Sequence, residues 1–193
     1  MDTEKQTKVL DAALEVFLRF GFKKTTMGDI ARKADMSRPS LYLVYPNKEE
    51  ILRAVFIRKI EEFSSVAEKK LEKCSGLEAG ISAVLDSWIM EPYKLIRTSP
   101  ESEEILEFGP KFAPDLRDQM MEQIEAQLIG VIQTYSDAKS STLATSGVTI
   151  ETVARLIAVS TAEMKQLVRN EKELKQLLSA TVKIHASFLG GRK

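Results

Sequence analysis

Apolar residues in this chain recur at steps of three and four almost from end to end, and no segment alternates strictly enough to make a strand. This pattern restricts the chain to an all-α fold. Each helix carries an apolar stripe that must be covered by another helix. Val9, Leu10, Ala13, Leu14, Phe17 and Phe20 mark the first stripe, with Thr3 and Gln6 at capping-box spacing at its start. Gly21 ends it, as a residue with positive φ does at a helix C-terminus.

Two short helices follow where long ones would be expected. Thr26 caps the first, with Asp29 at its third position, and Ile30, Ala31 and Ala34 form its apolar face. Asp35, Met36 and Ser37 leave room only for a turn. Ser37 caps the next helix, and Pro39 falls in its first turn, where no N–H is missed. Leu41 and Val44 point inward, and Pro46 ends the helix at Tyr45. Asn47 caps a fourth helix whose inward stripe runs through Ile51, Leu52, Val55, Phe56 and Phe63. An apolar helix from Leu77 to about residue 98 contains Pro92, a point of kinking or breakage. Ser99 and Pro100 start a short acidic helix, and residues 108–114 form an irregular connection. A helix on Leu116, Met120, Ile124, Leu128 and Tyr135 runs to about Ser136. Residues 137–148 read as an exposed loop, and two helices at about 149–169 and 171–189 close the chain. The expected total is about nine helices.

Charge and composition narrow the function classes. The chain is neutral overall, but residues 1–60 hold 12 Lys/Arg against 8 Asp/Glu (+4), leaving 16 against 20 (−4) for the rest. The basic excess lies with the paired short helices, as nucleic-acid binding requires. With 44% apolar residues the chain folds rather than staying disordered. The one cysteine, Cys74, excludes an internal disulfide framework and reads as an incidental thiol near a helix end. The polar start, MDTEKQTK, has no signal-peptide core, and no stretch is apolar enough to span a membrane. The expectation is a cytoplasmic protein without membrane contact. No nucleophile–base pairing, phosphate-cradling glycine loop or metal-ligand spacing is present, so no enzyme, cofactor or metal site is expected.

Short helices near 27–34 and 38–45 cannot stand alone, because helix nucleation costs too much. They need the first and fourth helices as a floor. The outward residues of the third helix are then Arg38, Pro39, Ser40, Tyr42 and Leu43. Arg38 can make a bidentate contact to guanine O6 and N7. Ser40 can bond a base or a phosphate, and Pro39 and Leu43 can lie against thymine methyls. Tyr42 and Tyr45 can donate to phosphates, although Tyr45, next to Pro46, fits a core aromatic equally well. Lys48 adds a charge at a helix N-terminus, and Thr25 and Thr26 offer hydroxyls at another.

Several linked motifs carry a family resemblance over residues 10–52. They are Ala12, Ala13, Leu14, Phe17, Gly21 and Phe22; Thr25, Thr26, Met27, Ile30, Ala31 and Ala34; and Ser37, Leu41, Tyr42, Tyr45, Pro46, Asn47, Lys48 and Leu52. In these the chain resembles the TetR family of bacterial transcriptional repressors. Three positions depart from the family pattern: Asp35 replaces the usual turn glycine, Pro39 a common glycine, and Val44 a frequent His or Tyr. The departures bear on the operator sequence rather than on DNA binding.

The resemblance implies a helix-turn-helix domain over 1–46 and a ligand-binding and dimerisation domain over 47–193. It implies a regulator, expected to be a repressor, that binds a palindromic double-stranded DNA operator as a homodimer and is released by a small-molecule effector. The alternative is a DNA-binding protein of the same architecture without such an effector, controlled by a protein partner. The last two helices are implied to form the dimer interface. Their stripes run through Val153, Leu156, Ile157, Ser160, Met164, Leu167 and Val168, and through Leu174, Leu177, Leu178, Thr181, Ile184, His185 and Phe188. Helices four to seven are implied to enclose the effector. Phe56, Phe63, Trp88, Tyr93, Phe108, Phe112, Met120 and Met121 are its candidate lining, against the plainer reading that each is core. His185, the single histidine, fits a satisfied residue in or near the interface.

Overall fold

A computed structural model describes residues 3–97, 101, 113–136 and 142–190. The helices, in chain order, are α1 (Thr3–Phe20), α2 (Met27–Lys33), α3 (Arg38–Val44), α4 (Lys48–Leu71), α5 (Leu77–Leu85), α6 (Glu91–Ile96), α7 (Pro114–Tyr135), α8 (Thr142–Ser146), α9 (Ile150–Leu167) and α10 (Glu171–Leu189). No strand occurs among the described residues. The all-α expectation therefore holds. The helix expected at Ser99 and the irregular connection at 108–114 lie outside the described residues, apart from Glu101 and the segment from Ala113 on.

Two compact units divide the chain. Met1–Glu61 and Leu95–Asp118 make one, and Glu62–Lys94 and Gln119–Lys193 the other. In the first, Val9, Ala13 and Phe17 of α1 pack with Ile30 and Ala31 of α2, Leu41 of α3, and Ile51, Leu52 and Val55 of α4. Ala31, 1% exposed, is small where α2 meets its neighbours, so the backbones approach closely. Gly21 takes φ 79°, which reverses the chain after α1 and brings the Phe22 ring to 5.4 Å from that of Phe17. In the turn between α2 and α3, Asp35 takes φ 51°, the left-handed conformation that Asp tolerates at modest cost. Met36 N–H donates to the Ala31 carbonyl at 2.9 Å and closes that turn. The guanidinium of Arg58 on α4 lies 2.8 Å from the Asp11 carboxylate on α1. Arg53 of α4 pairs with Asp115 at the start of α7, Nη1 donating to Oδ1 at 3.0 Å.

In the second unit the buried core gathers Ile81, Leu85, Trp88, Ile124, Leu128, Ile132 and Ile157. Trp88 Nε1 donates to Gln127 Oε1 at 2.8 Å, and Gln127 Nε2 donates to Ser64 Oγ at 3.2 Å, so one α7 side chain satisfies the indole and a hydroxyl on α4. Tyr135 donates its hydroxyl to the Cys74 carbonyl at 2.9 Å. The Cys74 thiol contacts the Lys70 carbonyl at 3.2 Å.

Four local expectations are corrected. Thr3 is the first residue of α1 rather than a cap preceding it. Pro92 does not break its helix. α5 and α6 are joined through a π-helical turn, Asp86–Met90, in which Glu91 N–H donates to the Asp86 carbonyl five residues back. The widened turn ends just before a residue that has no N–H to give and whose ring would crowd the carbonyl of Trp88. Within the stretch expected to be loop, Thr142–Ser146 is helical, and Leu143 is buried beneath it. A single apolar side chain in a polar run is too sparse a signal for periodicity to register. Finally, the stripes of α9 and α10 each resolve into two faces. Val153, Ile157, Val168, Leu174, Leu178 and Thr181 are buried in their own unit, whereas Leu156, Ser160, Leu167, Leu177 and Ile184 face out. Thr181 donates its hydroxyl to the Leu177 carbonyl at 2.9 Å, inside the chain.

Candidate nucleic-acid interface

Both short helices are held by their caps. Thr26 accepts from Asp29 N–H at 3.2 Å, while Thr26 N–H donates to Asp29 Oδ2 at 3.0 Å, a complete capping box on α2. The Thr26 hydroxyl, which donates to Asp29 Oδ2 at 2.6 Å, and then the Thr26 N–H hold the Asp29 carboxyl below its ordinary range, and Arg32 adds to the effect. At α3, Ser40 N–H donates to Ser37 Oγ at 3.2 Å, and Pro39 sits in the first turn. Leu41 is fully buried and anchors α3 to the unit's core.

The rest of α3 faces outward. Arg38, Pro39 and Ser40 are exposed, Tyr42 is 52% exposed and Leu43 88%. A helix that folds its own unit through one side chain and leaves an aromatic and a leucine in water is presenting a surface. Among the described residues Arg38 makes no hydrogen bond or ion pair, so its five donors are available to an outside acceptor. The Ser40 hydroxyl lies 2.8 Å from that of Ser37. Val44 is half-buried, and so is Tyr45, which packs against the core cluster. Burial raises the Tyr45 phenol's pKa, so it stays a neutral donor.

Three of the sequence-predicted contacts have internal partners here. Thr25 is buried and donates its hydroxyl to the Gly21 carbonyl at 2.7 Å. Thr26 is exposed, but its hydroxyl donates to Asp29 at 2.6 Å. The Lys48 ammonium donates to the carbonyls of Phe22, Thr25 and Lys23 at 2.8, 2.9 and 3.2 Å, and lies 4.5 Å from the centre of the Phe22 ring. All three of its N–H groups are thus engaged. Lys48 ties the first turn of α4 to the loop before α2. The neighbouring N-terminus is capped as expected, with Glu50 N–H donating to Asn47 Oδ1 at 2.8 Å.

Sequence reasoning passed over Gly28. A β-carbon built there would lie 2.4 Å from Arg38 Nη2 and 2.8 Å from its Nε, so the guanidinium of α3 rests directly on the bare backbone of α2. A glycine inside a seven-residue helix was the available signal.

The residues named for an effector pocket fall in both units. In the second unit Trp88, Tyr93 and Met121 are buried, Met120 is half-buried, and the Phe63 ring meets Trp88 edge-on at 6.3 Å. Phe56 packs against the core of the first unit, and Phe108 and Phe112 lie outside the described residues. His185 Nδ1 lies 2.8 Å from the Thr181 carbonyl, a satisfied histidine. Among the described residues no cluster of His, Cys, Asp or Glu can hold a metal, and no helix is long and apolar enough to cross a membrane.

A capped pair of short helices across a tight turn, the second turned outward, is a helix-turn-helix module. Residues 9–55 match the family described as bacterial regulatory proteins, tetR family. The chain is 31% identical over 72 residues to the uncharacterized HTH-type transcriptional regulator YhgD of Bacillus subtilis (strain 168), covering 37% of this chain and 38% of that protein. It is 35% identical over 83 residues to the uncharacterized HTH-type transcriptional regulator YfiR of the same organism, covering 43% and 40%. The matched stretch therefore spans less than half the length of these curated relatives. A TetR transcription regulator from Haloarcula marismortui ATCC 43049 has the same fold, with a TM-score of 0.74, 18% identity and coverage of 98% of this chain and 100% of that one. Over residues 9–55 the chain thus matches the tetR family of bacterial regulatory proteins, and the relatives it matches there are named as transcriptional regulators.

Proposed function

We propose that the protein is a DNA-binding transcriptional repressor that reads a palindromic operator as a homodimer and is released by a small-molecule effector. The observation that carries this reading is the outward face of α3. Arg38 with unclaimed donors, Pro39, Ser40, Tyr42 and Leu43 stand together on a helix whose fold needs only Leu41. In a major groove Arg38 reads guanine, Leu43 and Pro39 meet thymine methyls, and Tyr42 donates to phosphate. Thr25, Tyr45 and Lys48 support that face from beneath, and any phosphate contact by Lys48 competes with its three carbonyls.

Dimerisation rests on the second face of the last two helices. Leu156, Val159 and Leu167 on α9, and Leu177 and Ile184 on α10, are exposed at helical spacing. Ser160, Met164, His185 and Phe188 lie beside them in sequence. Each large side chain forgoes about 1.5–3 kcal/mol by standing in water, which a second copy would recover. An effector contacting Phe63, Trp88, Tyr93 or Met121 would act on α4, because Phe63 lies on that helix. To shift operator binding it must favour one α4 position over the other.

Selection from a random double-stranded DNA pool tests the reading. The expected outcome is an inverted repeat with half-site centres about 34–36 Å apart, and release of the bound DNA by a member of a small-molecule panel. Retention of no sequence above background would overturn it.

A further inference from the structure

We propose that Gly28 is a positioning residue for sequence reading, its missing side chain being what seats the Arg38 guanidinium. This rests on the DNA-reading function above and adds a determinant on α2, outside the recognition helix.

The backbone gives no reason for a glycine at this position. Gly28 is the second residue of α2, and it is absent from the glycines with positive φ. Glycine in a helix is a poorer choice than alanine, and α2 has only seven residues. Arg38 supplies the reason. A β-carbon at 28 would fall 2.4, 2.8 and 2.9 Å from Nη2, Nε and Cζ of that side chain, closer than non-bonded atoms approach. The atoms in the way are the far end of a flexible chain, so a methyl group would push the guanidinium off α2 without disturbing either helix.

No acidic side chain holds Arg38 among the described residues. The nearest carboxylate in sequence on α2, that of Asp29, is engaged by Thr26 and Arg32. The guanidinium is therefore located by contact with the backbone of α2, and its donors stay unspent. A bidentate contact to a base depends on the plane and reach of the fork, not only on its charge. A seat that fixes both therefore decides which base pair is read.

The test compares wild type, G28A, R38A and the double variant by selection from a random DNA pool and by affinity for the selected site. R38A should erase preference at one base pair per half-site. G28A should weaken the same base pair, with site affinity down about ten- to a hundred-fold, while its melting temperature stays level or rises. The double variant should be no worse than R38A, because Gly28 acts only through Arg38. In the free protein, nuclear Overhauser contacts between the Arg38 side chain and the Gly28 α-protons should be present. Full preference at the R38A-sensitive position in G28A would overturn the proposal, as would additive losses in the double variant or absence of those contacts. If wild type retains no DNA but the contacts are seen, the DNA reading fails and the positioning role fails with it. If wild type selects a site and G28A reads it unchanged, only the positioning role fails.

Discussion

Asp29 shows how much can depend on one half-buried carboxylate. It closes the capping box on Thr26 and pairs with Arg32, and both partners favour its charged form. A group whose folded pKa is lowered contributes stability that is present above its ordinary value and is lost as pH falls through the folded one. Asp29→Ala should therefore cost about 1 kcal/mol at neutral pH, as cap removal does. The gap to wild type should close under acid. Urea denaturation across pH checks this; a gap independent of pH would show that the carboxylate's charge contributes nothing. Residue identities of this kind were readable in the sequence. Thr26, Ser37 and Asn47 stood at cap positions before hydrophobic runs, and each caps its helix. Partners were not readable. The ammonium of Lys48 looks equally free in sequence whether it faces phosphate or three carbonyls 23 to 26 residues away.

Among the elements, α4 links the two units, since its residues 48–61 belong to one and 62–71 to the other. Its first turn is fastened to the α1–α2 loop through Lys48, and its second through Arg53 to the start of α7. The second pair is well exposed and contributes little. The first has three charge-assisted bonds to carbonyls. Lys48→Met keeps the aliphatic contact with Phe22 and removes the donors. It should lower stability by about 1–3 kcal/mol in chemical denaturation. If Lys48 serves phosphate alone, the variant would instead keep wild-type stability and reduce the salt slope of DNA binding by about one. Element boundaries followed the pattern where apolar steps were dense, as in α10, expected at 171–189 and found at Glu171–Leu189. They failed where the determinant is a backbone hydrogen-bond shift, as at the π turn before Pro92. Periodicity also could not divide the apolar residues of α9 and α10 between core and surface, because adjacent stripes on one helix merge when read along a line.

At the scale of the molecule, the proposed dimer rests on those outward stripes. Leu167 is 82% exposed and Ile184 65%, and neither contributes to the buried core of its own unit. Leu167→Glu with Ile184→Glu should leave helical content intact and convert a dimer to a monomer in sedimentation. A pool-selected site should then lose most of its affinity, since each copy reads one half. Variants that still sediment as dimers would sink the interface. The same face has a consequence for protein abundance. If a second copy covers it, folding and pairing form one equilibrium, and stability becomes a function of how many molecules share a volume. The midpoint of thermal unfolding should then rise with protein concentration, and scans of a dilution series will show it or fail to. A cell making few copies would hold a softer protein, more open to proteases, than one making many. Expression level itself would then set how long each molecule survives.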